Sequence, residues 1–121
     1  MTPTFQPSLR LVLVLLAVTF ILPAPAAEPA EKAKIEALIS HIEGLEGAVF
    51  IRNGSEYDAA SAAKFLRAKW KREDKNVNTA ADFITKGASV SGTSGKPYVI
   101  RFKDGKEVPC GDYLATRLKT P

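Results

Sequence analysis

Between residues 98 and 103 the chain alternates. Tyr98, Ile100 and Phe102 are spaced two apart, with Val99, Arg101 and Lys103 between them. Successive side chains of a strand point to opposite faces, so this period predicts a strand with one apolar face. Asp104-Gly105 follows and predicts a type I′ hairpin turn. Lys106 to Val108 is then the returning strand, and Pro109 stops it. A lone two-stranded hairpin is marginal in water. Its apolar face needs a cover, and the rest of the chain has to supply it.

The cover is helical. Ile35, Leu38, Ile39, Ile42 and Leu45 recur at helical spacing, with Lys32, Glu36, Ser40 and Glu43 opposite and Gly44 and Gly47 marking the exit. Lys32 and Glu36 stand one turn apart and can pair, although in the weaker orientation. Ala48 to Arg52 is a short apolar run expected to be a strand, ending in the turn signal Asn53-Gly54. Asp58 is a natural N-cap for a second helix, Ala59 to about Glu73. Ala59, Ala62, Leu66 and Trp70 line its inner face with Phe65 at the edge, and Lys69 and Arg72 sit at its flanks. Thr79 and Asp82 open a short third helix anchored by Phe83 and Ile84, with Gly87 as its exit. Asp112 caps a last helix that points Leu114 and Leu118 inward. The expected architecture is therefore α+β: a small single domain with about four helices packed on a short antiparallel β-hairpin or small sheet.

The first residues read differently. Arg10 precedes an apolar run from Leu11 to Leu22, and Ala24-x-Ala26 fits a signal-peptidase site. Residues 1–26 are therefore expected to be a cleavable secretory signal peptide and residues 27–121 a single mature domain. The run is too short, before its prolines, for a spanning helix of roughly 20 residues. No transmembrane segment is expected after cleavage. The chain has one cysteine, Cys110, which cannot close a loop within its own chain. That thiol is a buried small hydrophobe, a free thiol, or a link to a second molecule. Net charge is +4, too little to argue for nucleic acid and enough to bias contacts toward anionic surfaces.

Several stretches taken in order carry a resemblance. Phe50-Ile-Arg-Asn-Gly54 is followed by Glu56-Tyr57, then by Thr79-Ala-Ala-Asp-Phe-Ile84. Ser89-x-Ser91 leads to Ser94-Gly95, and Tyr98-Val-Ile-Arg101 with Asp104-Gly105 completes the set. Across roughly Glu31 to Leu118 the chain resembles the YfeK-like family of small exported bacterial proteins. The resemblance implies an envelope protein, most naturally periplasmic, and it brings no activity and no catalytic residues with it.

Chemistry finds few footholds. Nucleophilic catalysis needs a thiol or hydroxyl beside an oriented base, and the single histidine, His41, has no sequence relationship to Cys110. Ser89, Ser91 and Ser94 lie in no nucleophile-elbow motif. One His and one Cys do not make a structural zinc site, and the acidic residues follow no calcium-loop pattern. No cofactor, no metal site and no enzymatic activity are expected. Three stretches invite a binding hypothesis. In one, Arg52-Asn53-Gly54 with Glu56 and Tyr57 forms a charged turn that can be a contact patch, although Tyr57 stapling the entry to the second helix is the preferred reading. Ser89, Ser91, Ser94 and Lys96 would present backbone N–H groups, hydroxyls and a charge to an anion or a glycan, although turn-forming serines explain the same composition. Lys64, Arg67 and Lys71 share a helix face that would rest on an anionic envelope surface or an acidic envelope protein, and a solvated charged face is the bland alternative. The leading expectation is a periplasmic, non-enzymatic binding or protein-interaction module. An inhibitor or modulator of a cell-envelope enzyme comes second, and a small hydrolase third.

Overall fold

The computed structural model describes residues 28–120. The signal-peptide expectation for residues 1–26 lies outside the described residues. Among the described residues there are four α-helices and a four-stranded antiparallel sheet, a small α+β fold. In chain order these are α1 (Pro29–Glu43), β1 (Val49–Arg52), β2 (Ser55–Tyr57) and α2 (Ala59–Arg72). A single 3-10 turn, Asp74–Asn76, precedes α3 (Ala80–Phe83), whose last turn widens into a π turn over Ile84–Ala88. β3 (Val99–Arg101), β4 (Glu107–Pro109) and α4 (Cys110–Lys119) complete it.

The strand order is β2-β1-β3-β4. Phe50 of β1 stands opposite Tyr57 on one side and Ile100 on the other, and Ile100 stands opposite Val108. That row faces inward: Phe50 and Ile100 join Ile35, Ile39, Leu66, Phe83 and Leu114 in one buried cluster. On the outer face Arg101 reaches Glu56 at 2.8 Å and Glu107 at 3.7 Å, a solvent-facing ladder across the sheet. β1 is therefore a central strand.

β2 is the strand the alternation argument does not reach. Its three residues are exposed, so backbone pairing with β1, and no apolar pattern, holds them. The turn into it is type I′, with positive φ at both Asn53 (51°) and Gly54 (80°). The second hairpin departs from expectation in the opposite sense. Phe102 N–H donates to Lys106 O and Gly105 N–H to Phe102 O, and only Gly105 of that loop is left-handed (φ 89°). This is a three-residue loop with a glycine bulge, not a type I′ turn. Asp104 Oδ1 accepts from Lys106 N–H at 2.9 Å, which fastens the loop without putting Asp104 in the left-handed region.

Helix boundaries follow local chemistry in most places. Asp58 caps α2 by accepting from Ser61 N–H at 2.8 Å, and Thr79 caps α3 by accepting from Asp82 N–H at 3.0 Å. Three details differ. Lys32 does not pair with Glu36: Arg67 of α2 bridges Glu36 (3.4 Å) and Glu43 (3.6 Å) of α1, while Lys34 takes Glu31 at 2.8 Å. Pairing between helices wins because the α1–α2 packing already sets those side chains side by side. Gly87 is not an exit: the chain continues helically to Ala88, and Gly87 is buried where an added Cβ would lie 3.3 Å from the Phe83 ring. Finally, α4 begins at Cys110 straight after Pro109, so Asp112 lies in its first turn instead of capping it. The carboxylate still favours that end of the helix dipole.

Candidate functional site

α2 lies over the inner face of β1, and its sequence decides how closely. Ala62, Ala63 and Leu66 are buried against the core. Phe65, one position away from Leu66, turns toward the end of β1, where Arg52 continues the inward face of Phe50. The guanidinium carbon of Arg52 sits 4.2 Å from the centroid of the Phe65 ring. Phe65 in turn meets Tyr98 edge-to-face at 5.4 Å. A cation held on an aromatic face and an edge-to-face ring pair are both favourable arrangements.

Around this stack lie two hollows. The first, of about 250 Å3, opens between β1, β2 and α2, and its walls are almost wholly carbon, from Phe50, Phe65, Leu66 and Tyr98. Lys64 stands on it, and Cys110 contributes to its lining. Burial pushes the Cys110 thiol up to about 12, so it is a protonated, apolar group there. The second hollow, of about 170 Å3, is more polar than the first and is lined by Lys69, Arg72, Glu73 and Lys86 with Val90, Gly92 and Thr93. Arg52, Phe65 and Tyr98 line both.

Lys69 does not sit at a flank of α2 as the helical spacing predicts; it is only 5% exposed. Its ammonium donates to Val90 O and to Tyr98 Oη, each at 3.2 Å, and lies 5.4 Å from the Tyr98 ring centroid. Arg52 Nε is buried and finds no hydrogen-bond partner among the described residues.

The serine-rich loop is organised for a different purpose. Asn53 Nδ2 donates to Ser91 Oγ (3.0 Å) and Thr93 Oγ1 (3.4 Å), and Ser94 Oγ donates to Asn53 Oδ1. Ser89 Oγ donates to Ile84 O at 2.6 Å. These bonds tie the loop to the β1–β2 turn and to the end of α3. Lys96 is exposed. The structure thus gathers Ser91 and Ser94 around Asn53 and sends Ser89 elsewhere. Of the basic helix face, Arg67 is engaged by Glu36 and Glu43, Lys64 stands on the first hollow, and Lys71 is exposed.

His41 stands apart from both hollows. Its Nε2 lies 2.6 Å from Tyr113 Oη, tying α1 to α4. Removal from solvent, and secondarily the nearby Arg117 charge, lower its pKa.

Sequence reasoning reached Arg52 only as part of a charged turn, and it missed Lys69 and Tyr98. A signal was present: Phe50 and Arg52 share strand parity, and Phe65 and Lys69 are one helical turn apart. Together these features define a small helix-covered sheet domain with an apolar recess bordered by cations. The chain belongs to a family of unknown function, DUF5329, whose model matches residues 29–121. It is 34% identical over 90 residues to Uncharacterized protein YfeK of Salmonella typhimurium, an alignment covering 74% of this chain and 75% of that relative. No solved structure matches it.

Proposed function

We propose that this protein is a non-enzymatic binding module of the bacterial envelope that takes a small ligand into the recess between β1, β2 and α2. The recess itself carries the reading. It holds about 250 Å3, where a cavity of roughly 150 Å3 already accepts benzene, and its walls supply the apolar contact that small-molecule sites rely on. A binding role also suits the two groups most capable of nucleophilic or general-base work. Cys110 is a buried thiol raised to about 12, and His41 is held by Tyr113 on the far pair of helices.

Binding is tested with a neutral naphthylamine dye whose emission rises in apolar surroundings. The purified protein is expected to enhance it saturably, and Ala62→Leu, which fills the recess, is expected to abolish the enhancement while the fold persists. Equal enhancement by the variant overturns the reading. Export to the periplasm rests on the amino-terminal pattern of Arg10, the Leu11–Leu22 run and Ala24-x-Ala26. Osmotic shock of the producing bacterium is expected to release a chain beginning at Ala27, and retention of the intact chain inside the cell overturns that part.

A further inference from the structure

We propose that the ligand is an amphipathic anion: a short apolar body in the recess beneath Phe65 and an oxygen-bearing anionic head held by Arg52 and Lys69. The inference rests on the recess being a binding site, as proposed above, and adds the chemistry of what enters it.

Three observations carry it. An ammonium withdrawn from water is costly unless an anion compensates it, and Lys69 is only 5% exposed. Its two acceptors, the Val90 carbonyl and the Tyr98 hydroxyl, are both neutral. No carboxylate pairs with it among the described residues. An ammonium has three N–H donors, so one remains. The second observation is Arg52. Its Nε is removed from water without a partner, and a guanidinium presents a planar fork that matches a carboxylate or phosphate. The third is placement. Arg52 and Tyr98 line both the apolar and the polar hollow, and Tyr98 Oη is itself bonded to Lys69. An apolar body in the first hollow therefore puts its end group at the cations. Arg72 and Lys86 add positive charge around the second hollow against the single carboxylate of Glu73.

Calorimetric titration of the purified protein with octanoate, octan-ol of the same chain length, and inorganic phosphate separates the possibilities. Octanoate is expected to bind about tenfold or more tightly than the alcohol, the worth of one charged hydrogen bond, and more tightly than phosphate. Lys69→Met, which keeps the volume and removes the charge, is expected to fold, to retain alcohol binding and to erase the preference for octanoate. Arg52→Gln should weaken octanoate in the same sense and stands in if the first variant fails to fold. Equal binding of octanoate and alcohol overturns the anionic head while leaving the recess as a binding site. Phosphate binding as tight as octanoate overturns the apolar body. Failure of both eight-carbon probes overturns the recess reading and this inference with it.

Discussion

His41 and Tyr113 join the first and last helices through one hydrogen bond of 2.6 Å, and their rings stack with centroids 5.7 Å apart. The imidazole is partly withdrawn from water and faces the Arg117 charge, and both lower its pKa below 6.5. A group whose folded pKa lies below its unfolded value binds fewer protons in the folded state. Its contribution to stability is then complete above pH 6.5 and is lost as pH falls through the folded value.

Stability measured by chemical denaturation is therefore expected to fall as pH drops from about 7 to about 5, with the histidine as the group titrating there. Glu31, Asp58 and Asp82 have lowered pKa values through hydrogen bonds to Lys34, to Ser61 N–H and to Asn78 N–H respectively. Their contributions disappear only at more acid pH. His41→Gln should flatten the slope between pH 7 and 5. An unchanged slope would show that another group sets it.

Asn53 does two jobs, and substitutions separate them. It occupies a left-handed backbone position (φ 51°) and its amide holds Ser91, Thr93 and Ser94. Asn53→Gly keeps the turn and loses the tether, so amide exchange should accelerate across residues 92–95 with the sheet intact. Asn53→Ala loses both and should cost about 1 to 2 kcal/mol more, the penalty of a Cβ in that region. Equal stability of the two variants would contradict this division.

Gly111 is required by a close approach. A Cβ there would run into Ser89 Oγ and lie 3.0 Å from Ser89 Cβ, and that hydroxyl is anchored on Ile84 O at 2.6 Å. Alanine gains up to about 1 kcal/mol of helix propensity, but overpacking costs about 1 to 3 kcal/mol, so Gly111→Ala should destabilise. Adding Ser89→Ala should recover part of the loss. A thermal-unfolding double-mutant cycle measures the coupling, and strict additivity would refute the contact.

Cys110 is 1% exposed, and its thiol is raised to about 12 by burial. An aromatic disulfide reagent at pH 8 should leave the native protein unlabelled and label it stoichiometrically in guanidinium chloride. A denaturing gel without reductant should show no dimer. Rapid labelling of the native state would place the thiol at the surface.

Local patterns settled the elements that depend on near neighbours. The stripe from Ile35 to Ile42, the alternation from Tyr98 to Phe102, and the caps at Asp58 and Thr79 are legible because helix periodicity, strand parity and N-cap hydrogen bonds involve residues only a few positions apart. β2 escaped because three exposed residues held by backbone pairing leave no apolar signature. The candidate site is decided at longer range. Lys69 meets Tyr98 29 residues away, Asn53 meets Ser91 38 away, and His41 meets Tyr113 72 away. No period in the chain encodes such separations. The Lys69 contact forms when α2 settles on the sheet with Phe65 between Arg52 and Tyr98. Only that packing leaves a hollow and puts an ammonium beside it out of water.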